Sequence, residues 1–255
     1  MTWRPSCAKY YSLRAGNTGY PLETWNAAGG LSIYQTNTGL DMRGMWWNPN
    51  TQQLECNLFN TAGWATIPLD ASCNANSSSA ANIFFTGMNQ PNTNAIGAYD
   101  WNTNTVLFYQ TGNLHVYSRT TATLITTIPL TGTSLVNVNT STVIYTGQNN
   151  YEIGLLDHVA KRILLFRRSD GAFSGMSQLP AAATTSTLYR FSYANNRVWL
   201  YTAAPRTWNA YCIWNEGCAF STLPVELLHQ KAACLEGTPL LTWATATEHN
   251  SSHFL

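Results

Sequence analysis

Charge is what this chain has least of. Only 10% of its 255 residues are Asp, Glu, Lys or Arg, and the formal net charge is +1. Lysine occurs only as Lys9, Lys161 and Lys231. A nucleic-acid partner requires a basic face to displace counterions, and no such footprint is present. Long apolar runs are missing too: no stretch of about 18 such residues could cross a membrane as a helix. The start, Met1-Thr-Trp-Arg-Pro, lacks the apolar core of a secretory signal, so an exported protein would be met here in its mature form. Also absent are Gly-x-Ser-x-Gly, His-Glu-x-x-His, a phosphate-binding glycine loop, an EF-hand loop and Cys-x-x-Cys. The common nucleotide, zinc and serine-hydrolase chemistries therefore have no local signature.

What is present is a block that recurs with changes. One copy runs Ala95-Ile-Gly-Ala-Tyr-Asp100, a polar turn, Thr105-Val-Leu-Phe-Tyr109, Gly112-Asn-Leu-His-Val-Tyr117 and Thr123-Leu-Ile-Thr-Thr-Ile-Pro-Leu130. A second runs Glu152-Ile-Gly-Leu-Leu-Asp157, a turn, Ile163-Leu-Leu-Phe166 and Ser177-Gln-Leu-Pro180. Weaker copies start at Gly44 and Phe191. Short Val/Ile/Leu/Tyr/Phe runs between Asn, Thr, Gly and Asp clusters are strands between tight turns. A period of roughly 50 residues marks a repeat architecture. Four strands per repeat predict an all-β protein, a β-propeller of about five four-stranded blades, with a repeated sandwich of hairpins as the alternative. The blade language stops near Pro224. This divides the chain into a propeller over 1–224 and a tail over 225–255, a closing or appended segment in which 225–236 reads as a short helix. Ser12-Leu-Arg14 or Leu31–Tyr34 is the expected clasp of the ring.

The order Ile-Gly-φ-φ-Asp, turn, Val-Leu-Phe-Tyr, Gly-Asn, Val-Tyr and Thr-Ile-Pro-Leu, where φ is an apolar residue, resembles a blade of the NHL, YVTN and gluconolactonase group of propellers. The resemblance spans about Leu40 to Tyr201. It implies a first strand lining the central axis and functional groups at one mouth of the channel. Aligned this way, Asp100 and Asp157 share a register with Trp47 and Ser192, and each Asp caps the turn that follows it. Asp41, Asn94 and Glu152 then stand just ahead of innermost strands. In the lactonases of that group, Glu, Asn and Asp at such positions hold Ca²⁺, a hard cation suited to oxygen ligands and able to polarise a lactone carbonyl. Asp157 and His158 are the nearest candidate bases, although neighbours on a strand end point to opposite faces. The contexts that usually surround the lactonase ligands, Pro-Asn-Gly and Pro-Asp-Gly, are not found here.

Ten tryptophans and thirteen tyrosines open another reading. Exposed aromatic faces stack on sugar rings, while buried ones wedge between blades. Trp101, just after a turn Asp, is the tryptophan expected to be exposed. The six cysteines permit three disulfides in an oxidising compartment, with Cys212–Cys218 expected as a local bridge; buried free thiols are the alternative. The expectations are thus an exported propeller that is a Ca²⁺-assisted hydrolase of a lactone or ester. The alternatives are a non-catalytic binder of a glycan or small molecule, and an interaction scaffold.

Overall fold

The structure, a computed structural model, describes residues 1–13, 21–27, 34–60, 62–75, 82–87, 89–139, 141–187, 189–204, 206–213, 227–235 and 238–245. Among them the regular secondary structure is all strand except for one 3-10 turn, Pro5–Cys7, and the chain forms two compact units, Met1–Trp214 and Asn215–Leu255.

The first unit is a five-bladed β-propeller. Blade 1 holds β1 (Thr2–Arg4), β2 (Lys9–Leu13), β3 (Pro21–Asn26) and β4 (Tyr34–Asn37). Blade 2 holds β5 (Met42–Asn48), β6 (Gln53–Leu58), β7 (Trp64–Ile67) and β8 (Asn82–Phe85). Blade 3 holds β9 (Ala98–Asp100), β10 (Thr105–Gln110), β11 (Asn113–Ser118) and β12 (Leu124–Pro129). Blade 4 holds β13 (Ile144–Tyr145), β14 (Ile153–Asp157), β15 (Arg162–Phe166) and β16 (Phe173–Gln178). Blade 5 shows three strands among the described residues, β17 (Phe191–Ala194), β18 (Arg197–Ala203) and β19 (Arg206–Tyr211). Every pairing within a blade is antiparallel. The first strands, β1, β5, β9, β13 and β17, adjoin one another in a closed ring. They run side by side, as the parallel bridge Ile96–Thr142 between blades 3 and 4 shows.

The second strands of blades 3 and 4 are packed on both faces by neighbouring blades, which explains their continuous apolar runs in place of a two-residue alternation. Thr105–Tyr109 and Ile153–Asp157 are buried without a break. The core is accordingly a set of clusters between blades. Leu107, Leu114, Leu155 and Phe166 lie between blades 3 and 4. Leu156 and Ile163 meet Val198 and Leu200 between blades 4 and 5. Trp46 and Trp64 wedge against Tyr99 and Phe108 between blades 2 and 3.

Buried polar groups join blades where the first strands pack too closely for side chains. The Asn57 Oδ1 accepts from Gly44 N–H at 2.9 Å and from Gly97 N–H at 3.0 Å. Its Nδ2 donates to Gln90 Oε1 and to Ala95 O. Charge does the same work farther out. Arg119, after the third strand of blade 3, reaches Glu55 of blade 2. Arg168, after the third strand of blade 4, reaches Asp100 of blade 3.

Of the expected clasp, only Ser12, Leu13 and Tyr34 fall among the described residues, and they belong to the first blade; Arg14 and Leu31–Ile33 lie outside them. Blade 5 meets blade 1 through side chains: Asn195 Nδ2 donates to Tyr10 Oη at 2.7 Å, and the Tyr10 and Trp199 rings stand 4.8 Å apart. A Cys7–Cys73 disulfide ties blade 1 to the loop of blade 2. Cys212 is disulfide-bonded as well, and its expected partner Cys218 lies outside the described residues. Cys56 is a buried free thiol, its pKa driven upward by desolvation.

Two sequence expectations are corrected. The second repeat copy is displaced by one strand: Ile153–Asp157 is the second strand of blade 4, and the axial strand is the short β13 before it. Ser192 and Trp47 do lie on axial strands, as does Asp100. In the second unit, most of the expected helix over 225–236 is strand β20 (Leu227–Leu235), paired with β21 (Thr238–Thr245). Cross-strand pairing outweighs the helix preference of Leu, Gln, Lys and Ala, which is a weak local bias.

Candidate functional site

The ring of first strands encloses a cavity of about 570 Å³. Alternation along β5 sends Arg43, Met45 and Trp47 to the axis while Met42 and Trp46 turn into the blade. Blade 1 supplies Trp3, blade 3 Ala98 and Trp101, blade 4 Thr142 and Tyr145, and blade 5 Ser192 and Tyr193, with the buried Trp46 and Tyr99 behind them. No Asp, Glu or His is among the described residues that line it.

The two ends of this channel differ. Where the axial strands finish, turns capped by Asx side chains set the rim. Asp100 Oδ1 accepts from the N–H groups of Asn102 and Thr103, and Asn48 Oδ1 accepts from those of Asn50 and Thr51. The cap on β9 projects Trp101 across to blade 4. There its ring packs on Gly147, in the left-handed region at φ +71°, where a Cβ would come within 2.3 Å of the indole. Its other support is Tyr145, with centroids 4.7 Å apart and edge to face. Trp101 is still 41% exposed, as its sequence position suggested. Tyr145 Oη accepts from Asn102 Nδ2 at 2.9 Å. Burial, followed by the neighbouring Asp100 carboxylate, pushes the Tyr145 phenol upward, so it is neutral over the physiological range.

Where the axial strands begin, Arg43 is the dominant group. Its Nη2 donates to Asp41 Oδ2 at 3.1 Å, and its guanidinium lies 4.4 Å from the Phe59 ring centre and 5.1 Å from that of Tyr189. The residues expected to act are distributed as follows. Asp41 and Asn94 stand at this starting end, Asp41 paired with Arg43 and Asn94 in a loop turn closed by Asn92. Glu152 stands at the opposite end, beside Tyr145 across the β13–β14 pair, where its Oε2 accepts from Arg168 N–H. The three are therefore not brought together. Among the described residues no cluster of three or more His, Cys, Asp or Glu side chains forms a metal site. The calcium set implied by the lactonase resemblance does not fit this geometry.

Asp157 and His158 lie at the end of the second strand of blade 4, outside the axial lining. The Asp157 carboxylate caps its turn through Ala160 N–H and pairs with Arg162 at 2.9 Å. His158 is held by its backbone to Asn137 and Thr185. Arg43 and Tyr145 were not singled out from sequence. The alternation Met42-Arg43-Gly44-Met45-Trp46-Trp47 carried the signal for Arg43, because it shares a face with Trp47. Tyr145 had none, since its strand is two residues long.

No family model matches this chain, and no curated protein matches it. The affiliation to the NHL, YVTN and gluconolactonase group thus stays at the level of the propeller fold. Among solved structures the chain is similar to a glutaminyl cyclase from Myxococcus xanthus, at 9% identity over 74% of this chain and 79% of that one, TM-score 0.49. It is also similar to the β-propeller domain of Cps50 (Swd1) from Myceliophteria thermophila, at 12% identity over 82% and 69%, TM-score 0.42. A chain of the mitotic checkpoint complex gives 14% identity over 82% and 60%, TM-score 0.40. Likenesses this distant say nothing of activity or ligand.

Proposed function

We propose that this propeller is a non-catalytic binding protein whose axial cavity takes a small ring-shaped, hydroxyl-rich molecule, a pyranose sugar. The observation that carries this reading is Trp101. One side of its ring is fixed on Gly147 and Tyr145 while the residue stays 41% exposed over the cavity. A fixed, half-exposed indole offers a ring face at little entropic cost. Trp3, Trp47 and Tyr193 extend the aromatic lining, and the volume is in the range of small-molecule sites. The Cys7–Cys73 bridge supports an exported protein in an oxidising compartment. The calcium-assisted hydrolase is the weaker reading, because Glu152 stands at the far end of the channel from Asp41 and Asn94.

The test is a glycan array followed by calorimetric titration of any pyranoside retained. Trp101→Ala, checked for native unfolding behaviour, is expected to weaken binding about tenfold or more, the order of a lost aromatic stack. A folded protein that retains no glycan, or binding indifferent to Trp101, would overturn the proposal.

A further inference from the structure

We infer that the axial ligand is an amphiphile, a pyranoside whose apolar aglycone extends down the channel beneath Trp101. This rests on the reading of the axis as a sugar site and specifies its substrate class. The cavity runs on below the Trp101 rim, past Trp47 and Met45 to Arg43. Trp47 and Arg43 are separated along β5 by about 13 Å of strand. One pyranose stacked on Trp101 spans only the mouth, so the rest of the channel faces whatever the sugar is attached to.

The wall below the rim decides the chemistry of that attachment. Trp3, Met45, Trp47, Ala98 and Tyr193 line the cavity and are only partly buried. Their surfaces are apolar apart from the indole N–H groups and one phenol. The hydroxyls of the axial strands do not serve this wall. Thr142 Oγ1 and Ser192 Oγ are buried, and Thr2 Oγ1 is engaged by Trp47 N–H at 3.0 Å. Among the described residues the only charged side chain of the lining is Arg43, at the far end and already paired with Asp41. Amides stand at the other level: Asn195 and Asn196 line the mouth, in the turn that follows β17. The apolar wall is also fixed before any ligand arrives. Arg4 packs on the Trp47 ring at 4.6 Å, and the Trp3 and Tyr10 rings stand 4.4 Å apart. A sugar hydroxyl carried that deep would lose its water without gaining a partner. Methylene or aryl groups gain by leaving water. The channel then has a division of labour: indole and amides at the Trp101 mouth for the sugar, and the wall of Trp3, Met45 and Ala98 for the aglycone.

The experiment titrates the full chain by calorimetry with methyl, butyl, hexyl and octyl β-D-glucosides and β-D-galactosides, each below its micelle concentration. For the sugar that binds, affinity is expected to rise about threefold per methylene, the gain of moving that group out of water. The heat-capacity change should grow more negative along the series. Met45→Asn, which places an amide in the channel wall, should cut the octyl-to-methyl ratio about tenfold or more. The wild-type series decides alone if that variant fails to fold. Equal affinity along the series, or a rise that folded Met45→Asn leaves intact, overturns the aglycone inference while Trp101-dependent sugar binding still stands. Octanol held as tightly as the octyl glycosides overturns the sugar reading and the inference with it. No binding by any member overturns both.

Discussion

A carboxylate with no exposed surface survives only where its lone pairs are matched, and Glu55 shows how completely this propeller does so. It is 0% exposed. It accepts two 2.7 Å bonds from Arg119, and others from Trp46 Nε1, Asn48 Nδ2 and Thr51 Oγ1. Phe84 covers the guanidinium at 4.2 Å. Glu55→Ala would leave Arg119 and the indole N–H facing a void. We expect a loss of about 3–5 kcal/mol, the cost of breaking a buried pair from one side, with Glu55→Gln costing less, as read by urea unfolding. Residues of this kind were poorly legible beforehand, because Glu55 and Arg119 are 64 positions apart. The Asx caps at Asp100 and Asp157 were legible, since they depend only on a side chain and the backbone two or three residues on.

Among elements, the contact between β5 and β9 shows what a missing side chain permits. A Cβ on Gly44 would come 2.4 Å from Asn57 Oδ1 and 2.5 Å from Gly97 N, so the two blades can meet there only through glycine. Gly44→Ala must push blade 3 from blade 2 or break the Asn57 clamp. The expected cost is about 1–3 kcal/mol of overpacking, and calorimetry should find a lower Tm than in a control Gly39→Ala, where the space around the Cβ is open. Both positions test backbone freedom differently, since Gly39 lies at φ +71° and its variant pays only local strain. The sequence repeats identified hairpins correctly but not their place in the blade. The β9–β10 and β14–β15 hairpins share one pattern, an apolar strand, an Asp-capped turn and another apolar strand, while one is innermost and the other is not. Local patterning encodes pairing partners and leaves the radial position to the rest of the sheet.

For the whole molecule, the same two-sided burial that builds the core sets how it responds to alkali. Burial raises the phenols of Tyr10, Tyr99, Tyr109 and Tyr117 above their ordinary value, pushes Tyr11 up to about 12, and raises Tyr145 still further with the help of Asp100. In the unfolded chain they ionise near their usual value of about 10. Above that pH the unfolded state releases protons first, so stability is intact below pH about 10 and declines as pH rises toward and beyond 12. Circular dichroism melts from pH 8 to 12 should show a level Tm followed by a steep fall, and a Tm level throughout would contradict this. The sequence by itself determined the strand content, the turn caps, the repeat and hence the propeller, because each depends on neighbours within a hairpin. It also marked Trp101 as an exposed indole. The tertiary structure alone decided which strands line the axis, that Arg43 and Tyr145 border the axial cavity, and that Asp41 and Asn94 lie at the opposite end from Glu152. The reason is physical: a channel is a property of five strands from five blades, and no stretch of chain carries more than one of its walls.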